Sequence, residues 1–218
     1  MPESVRELRR GQIIAAARRI VAGDGLEALT FGALERRLAF TRGVITYHFR
    51  DKDELVDAVL ASAVDDIDRG TRREVDAAAD PADKVRAAIH GMVHGFLVNP
   101  EAGRVLLAFW GRLTSDPHVR KVNAALYARY REETARLLRA GTRAGAFAQV
   151  DARVVAVNVV GAVIGIVTQA YFDPGAVDVE ACVDEAARAL RARLVTVSPP
   201  ARPGSATARA PAPRRRRR

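Results

Sequence analysis

The side chains whose types and spacing could do chemistry gather between residues 34 and 55, in LERRLAFTRGVITYHFRDKDEL. Leu34 and Leu38 stand one helical turn apart, Ala39-Phe40 can make a turn, and Thr41 is placed to cap a second helix running through Val44, Ile45 and Phe49. This is the spacing of a helix-turn-helix, whose second helix enters the DNA major groove and turns its first residues toward base edges. Thr41, Arg42, Val44 and Thr46 lie at that end. An arginine can bond guanine through two N–H groups, and a valine or threonine methyl can meet the methyl of thymine. Arg42, Val44 and Thr46 are therefore the base-reading candidates. Asp51, with Glu54 three residues on, has the spacing of a capping box, so another helix starts at Asp51. The competing reading is a helical hairpin without nucleic acid, in which Tyr47 and His48 merely cover a small core.

A second group lies further along. His90 and His94 are one turn apart on a segment whose core stripe is Val85, Ile89, Met92 and Phe96 and whose opposite side, with Ala87, Gly91, Gly95 and Val98, is small and apolar as well. A helix apolar nearly all round is buried, so the two histidines face a cavity or a neighbouring helix. They can be satisfied structural groups, ligand contacts or metal ligands. No third ligand is evident, and a stable site needs more than two, so no metal and no cofactor is assigned. His90, His94, Phe109, Trp110, Tyr127 and Gln169, polar or aromatic residues on otherwise apolar helices, are the candidates for lining a small-molecule pocket. Nothing resembles a catalytic set: there is no Gly-x-Ser-x-Gly elbow, no phosphate-cradling glycine loop and no Cys-His pairing beyond chance. An enzyme is not expected.

The segment Thr41-Arg42-Gly43-Val44-Ile45-Thr46-Tyr47-His48-Phe49 followed by Asp51-Lys52-Asp53-Glu54-Leu55 resembles the TetR family of bacterial transcriptional regulators. The chain departs from the family pattern at Glu35, where a small residue is common, at Ala39, where glycine is usual, and at Thr46. The resemblance implies that Tyr47, His48 and Lys52 contact phosphates and that the start of the Asp51 helix adds backbone amides to the same task. It also implies a four-helix dimer interface built from the last two helices of each subunit. By position these are Asp151 to Phe172 and Asp178 to Arg193.

The elements that must position these groups are all helical. Ser4 and Glu7 can box the start of a helix whose apolar positions are Leu8, Ile13, Ala16, Ala17 and Ile20 and whose other face carries Arg6, Arg9, Arg10, Arg18 and Arg19; Gly23-Asp24-Gly25 ends it. Thr30 opens the next. The helix from Asp51 links two parts and is expected to run to about Arg69. Asp80-Pro81, Asn99-Pro100 and Asp116-Pro117 repeat one start signal, a capping side chain followed by proline at the first helical position. The third of these helices is expected to end at Gly141 and to carry Arg129-Glu133 and Glu132-Arg136 pairs. The run from Val154 to Phe172 approaches the length of a membrane span, but Asn158, Thr168 and Gln169 and the amphipathic helices around it favour a buried subunit interface. Gly161 and Gly165 would let a partner helix approach closely, with Cys182 and Ala186 on the apolar side of the final helix.

No strand alternates convincingly, so the fold is expected to be all-α: a helix-turn-helix domain at 1–50, a larger helical ligand-binding and dimerisation domain at 51–197 with 51–69 as its linking helix, and a disordered basic tail at 198–218. The tail matters to the charge. Of 35 basic residues, seven are arginines after Val197, so the +9 of the whole chain falls to 28 bases against 26 acids before it. Flexible arginines of that kind either find phosphates wherever the folded part lands or serve as a solubilising extension. A single cysteine and the absence of a secretory leader place the chain in the cytoplasm. The reading is a homodimeric repressor that binds a double-stranded DNA operator and is released by a small-molecule effector, with no membrane partner. The alternative is a helical ligand-binding or scaffold protein without sequence-specific DNA binding.

Overall fold

The computed structural model describes residues 4–194, and the basic tail at 198–218 lies outside them. The described residues form nine α-helices and no strand: α1 (Val5–Asp24), α2 (Phe31–Leu38), α3 (Arg42–His48), α4 (Lys52–Ala77), α5 (Pro81–Leu97), α6 (Pro100–Trp110), α7 (Pro117–Arg143), α8 (Ala152–Phe172) and α9 (Val179–Leu194), with a single 3-10 turn at Leu26–Ala28. The fold is all-α, a small three-helix unit followed by a larger helical bundle.

Local chemistry sets most of the helix starts. Ser4 and Glu7 form the reciprocal box, the Ser4 amide donating to Glu7 Oε2 at 2.9 Å and the Glu7 amide to Ser4 Oγ at 3.2 Å. Asp80, Asn99 and Asp116 each accept an amide of the first turn behind a proline, at 2.7, 3.2 and 2.9 Å. Two starts differ from expectation. Thr41 occupies the cap position of α3 but its hydroxyl makes no capping bond; its carbonyl takes the Val44 amide at 3.0 Å instead. At α4 the Glu54 amide donates to Asp51 Oδ1 at 2.9 Å, but Glu54 reaches back to the amide of Arg50 rather than of Asp51.

Ala39 ends α2 in the left-handed region, at φ 53° and ψ 27°. A Cβ there crowds the following carbonyl, which costs about 1 to 2 kcal/mol in regular left-handed structure. The left-handed residue reverses the chain between α2 and α3. We expect Ala39→Gly to raise the stability of the chain by about 0.5 to 1 kcal/mol, the relief of strain being partly offset by unfolded-state entropy. Chemical denaturation of the two proteins measures it; a less stable glycine variant would mean that the turn is not strained.

Packing explains why several elements differ from their expected bounds. α4 runs on to Ala77 rather than stopping near Arg69, because its second half lies against α5 at very close range. A Cβ on Gly91 would stand 2.6 Å from Thr71 Cα, and one on Gly95 2.8 Å from Ile67 Cγ2. α7 passes through Gly141 to Arg143, since that glycine makes room for the ring of Phe147. On α1, Leu8 is half exposed while Arg18, expected on the polar face, is buried. Arg18 Nη1 donates to Ser62 Oγ at 3.1 Å and pairs with Asp66 at 2.6 Å, and its Nε lies 3.0 Å from Glu101. The expected pairs within α7 are also redrawn: Arg129 leaves Glu133 for the buried Asp68 of α4, at 2.7 Å, and Glu132 pairs with Arg139. A carboxylate shielded from water attracts more strongly than one on the surface.

α8 is the one described helix long and apolar enough to cross a bilayer. Its buried side, from Val155 and Ala156 through Val159, Val163 and Val167, packs on α5, α7 and α9.

Candidate nucleic-acid interface and effector cavity

α3 is held by Ile45 and Phe49, both fully buried. Thr41, Arg42, Thr46, Tyr47 and Lys52 are exposed and Val44 is half-buried, so the structure brings the expected reading residues to one surface. Thr46 Oγ1 donates to the Arg42 carbonyl at 3.0 Å, which leaves its methyl as the part offered outward. The Arg42 guanidinium rests over the Phe31 ring at 5.7 Å and must leave it to reach a base, at a cost of about 0.5 to 1 kcal/mol for an exposed pair.

His48 behaves differently from its neighbours. It is buried beside Tyr47, the ring centroids 5.1 Å apart, and its Nδ1 has no hydrogen-bond partner. Burial above all, and then Arg6, Arg9 and Arg10, hold the imidazole below the usual histidine range. At neutral pH it is uncharged, so toward a phosphate it can offer an N–H but not a cation.

A shallow cleft joins α1 to α3, walled by Arg6, Arg9, Thr41, Tyr47 and His48. Arg6 lies over the Tyr47 ring at 5.6 Å and Arg10 over Phe49 at 4.8 Å. A second depression, between the first turn of α2 and the start of α4, holds Arg42 and Lys52. Among the described residues Arg6, Arg9, Arg10, Arg42 and Lys52 make no ion pair with a carboxylate. The face is positive and its charges are free to meet phosphates. The arginines of α1 were legible in the sequence as a basic stripe, but their place beside α3 was not.

A cavity of about 570 Å³ opens between α4, α5 and α7. Its inner wall is Val75, Ala88, Met92, Thr134, Leu137 and Tyr130, and its rim carries Arg72, Arg136, Arg139 and Arg143 with Asp76 and Glu133. Met92 and Tyr130 also border an apolar crevice of about 40 Å³ that reaches Phe96, Trp110, Tyr127 and Val163. Trp110 stacks on Phe96 at 5.9 Å, and Tyr127 meets Tyr130 edge-on at 6.0 Å. Burial raises the Tyr127 hydroxyl to about 12, and burial with the nearby Asp68 carboxylate raises that of Tyr130 further, so both are neutral hydrogen-bonding groups.

Of the residues expected to line a pocket, Trp110 and Tyr127 border the crevice. Phe109 is fully buried in the core, and Gln169 is exposed, its amide donating to the Gly165 carbonyl at 3.1 Å. His90 and His94 lie apart from the cavity, between Glu74 of α4 and Glu180 of α9. On the expected interface, Gly161 is exposed with open space around it, while Gly165, Cys182 and Ala186 are half-buried.

A helix-turn-helix with an exposed reading face, carried on a helical bundle with its own cavity, defines the class of these folds. The comparisons narrow it. The profile of the bacterial regulatory proteins of the tetR family matches residues 13–59, and that of the BetI-type transcriptional repressor C-terminal domain matches residues 81–195. The chain belongs to the TetR family. The HTH-type transcriptional regulator BetI of Burkholderia cenocepacia is 31% identical over 124 residues, 56% of this chain and 64% of its own length, so the match spans just under two thirds of that relative. A TetR regulator from Chloroflexus aurantiacus superposes with a TM-score of 0.76 at 18% identity, covering 87% of this chain and 98% of that one. A transcriptional regulator from Saccharomonospora viridis, solved in complex with choline, gives 0.70 at 20% identity over 86% and 97%. At these identities the solved structures speak to fold alone.

Proposed function

We propose that this chain is a homodimeric transcriptional repressor that binds a double-stranded DNA operator and is released from it by a small-molecule effector in the cytoplasm. One observation carries the DNA reading: the unpaired cations Arg6, Arg9, Arg10, Arg42 and Lys52 surround an exposed α3 at one end of the molecule. A scaffold protein has no use for so many uncompensated charges around a groove-sized helix. Arg42, Val44 and Thr46 read bases, and Tyr47, His48 and Lys52 with the arginines of α1 hold phosphates. We expect Arg42→Ala to weaken operator binding by about 1 to 3 kcal/mol and to relax one base position, and Lys52→Ala to weaken all sequences alike. Binding-site selection with both variants separates the two roles; unchanged base preference in Arg42→Ala would remove it from base reading.

The dimer rests on α8. Val154, Val157, Gly161, Ile164, Thr168 and Tyr171 follow one another at alternating steps of three and four, the spacing of a helix seam. Val154, Val157 and Tyr171 are 51, 55 and 47% exposed in the single chain. An apolar stripe of that kind calls for a partner helix.

The effector site is the cavity between α4, α5 and α7. Its apolar inner wall and charged rim suit a small molecule with an apolar body and a polar or charged head. The choline complex of the Saccharomonospora viridis protein makes choline the first compound to try, its quaternary ammonium suited to the aromatic face of Tyr130 and to the Asp76 and Glu133 carboxylates of the cavity. Release works only through differential affinity for the two shapes of the dimer, one of which no longer fits half-sites about 34 to 36 Å apart or a multiple of that spacing. Titrating choline and a short-chain fatty acid into the operator complex tells a cationic from an anionic preference.

A further inference from the structure

We propose that His90, His94 and Glu180 form a binding site for a divalent transition-metal ion of the zinc type, with Glu74 as a positioning residue. Among the described residues this is the group of histidines and carboxylates whose ligand atoms come together, all within 4.8 Å of one another. The histidine rings are stacked one turn apart on α5 with centroids 4.0 Å apart. Both turn Nε2 toward the same oxygen, Glu180 Oε1 in the first turn of α9, at 3.7 Å from His90 and 2.6 Å from His94.

The hydrogen-bond inventory is what asks for a cation. His90 Nδ1 stands 2.6 Å from Glu74 Oε2, a carboxylate that can only accept, so in the neutral ring the proton sits on Nδ1. The Nε2 lone pair of His90 then faces a carboxylate oxygen, which is also an acceptor. His94 Nε2 is enclosed and lacks an aligned hydrogen bond despite its close approach to Glu180. The His90 lone pair and the Glu180 oxygen converge on one point beside His94 Nε2, and a positive centre between the three relieves the repulsion. A carboxylate behind a ligating imidazole is also the usual outer partner of metal-bound histidine, fixing its tautomer and orientation.

The donor set selects the ion. Two imidazoles and one carboxylate suit zinc and its neighbours, whereas calcium and magnesium require oxygen-rich shells. Around a tetrahedral ion with ligands about 2.0 to 2.1 Å away, donor atoms stand roughly 3.3 Å apart. The present distances from Glu180 Oε1, 3.7 Å to His90 and 2.6 Å to His94, lie on either side of that value. The Glu180 side chain is 58% exposed, so the site has an entry from solvent on the α9 side. The neighbouring Arg86 is committed to Asp184, at 2.6 Å, along the same seam between α5 and α9, and does not compete for Glu180. A bound ion would fasten α9 to α5 and, through Glu74, to α4. It would make the placement of a helix at the proposed subunit contact depend on metal. The assignment of ligands stands independently of whether the chain binds DNA.

Cobalt titration into chelator-treated full-length protein is the test. One Co2+ per chain should give the visible ligand-field absorption of a tetrahedral N/O site, lost on adding Zn2+. Zn2+ should raise the midpoint of thermal unfolding and a chelator should reverse the rise. His94→Ala and Glu180→Gln should abolish the absorption, and Glu74→Gln should keep it while lowering affinity about 10- to 100-fold. Glu180→Gln changes an exposed side chain and leaves the fold in place, so loss of binding there reads the ligand itself. His118→Asn, at a histidine that pairs with Asp57 elsewhere on the molecule, should change nothing. Absent bands with no thermal shift overturn the proposal, as does binding that survives the His94 and Glu180 changes or disappears only with Cys182→Ser.

Discussion

Arg18→Met is expected to lower the stability of the chain by about 2 to 4 kcal/mol, somewhat less than the roughly 3 to 5 kcal/mol of breaking a fully buried ion pair because Asp66 and Glu101 keep some contact with water. The side chains of the two acids are 21 and 37% exposed against 11% for Arg18. Methionine has the length to fill the space but no charge, so Asp66 is left with Arg69 as its remaining cation and Glu101 loses the cation that lies 3.0 Å from it. The unfolding midpoint should fall by roughly 2 to 4 °C for each kcal/mol in a chain of this size. The same variant carries a functional expectation. Arg18 is the point where α1, which bears the arginines proposed to face phosphates, is tied to both α4 and α6, so loosening it should weaken the response of operator binding to effector more than operator binding itself. Thermal unfolding reports the first effect, and operator titration with and without effector reports the second. A midpoint within a degree of wild type would show that the ion pairs contribute no net stability. A double-mutant cycle with Asp66→Asn isolates the pair from the neighbouring contacts.

Arg18 also marks where sequence reasoning reaches its limit. The caps at Ser4, Asp80, Asn99, Asp116 and Asp151 were legible because each satisfies amides two or three residues away, and the helix-turn-helix because its whole chemistry fits within a short stretch. The turn at Ala39 was placed correctly although it carries no glycine, since the apolar spacing on either side left no other position for it. Arg18 falls on the polar side of α1 by periodicity. It is buried because its partner Asp66 is 48 residues along the chain, and no local pattern records that. The same holds for Glu180, which completes the pair His90 and His94 from another helix. The cavity is legible only in part: Trp110 and Tyr127 border the crevice beside it, but a cavity is a gap between helices, which no single helix records. The gap here is bordered largely by the outer face of α7, where Glu133, Arg136 and Arg139 look like ordinary solvated charges. Helix ends shifted for a related reason: α4 was expected to stop near Arg69 and α7 at Gly141, and both run on because tertiary contact outweighs a glycine propensity difference of about 1 kcal/mol.

Gly161→Leu is expected to abolish the dimer while leaving the single chain folded. The space around Gly161 is open in the isolated subunit, with nothing within 4 Å of a Cβ placed there. Leucine therefore meets no neighbour in the monomer, and its higher helix propensity favours α8 by about 0.5 to 1 kcal/mol. The cost appears only when a second α8 lies along the stripe of Val154, Val157, Gly161, Ile164, Thr168 and Tyr171. Overpacking a seam typically costs about 1 to 3 kcal/mol, and two-fold symmetry introduces the leucine twice. The expected penalty is roughly 2 to 6 kcal/mol, which weakens the dimer by a factor between about 30 and more than about 10⁴. Operator affinity should fall with it, because two half-site contacts that were joined become separate events. Circular dichroism first confirms that the variant is helical and unfolds at or above the wild-type temperature, which excludes a folding defect as the cause. Sedimentation at micromolar concentration then decides the point: a variant that remains dimeric removes this face of α8 from the interface, and one that is monomeric yet binds operator as tightly as wild type removes dimerisation from the mechanism.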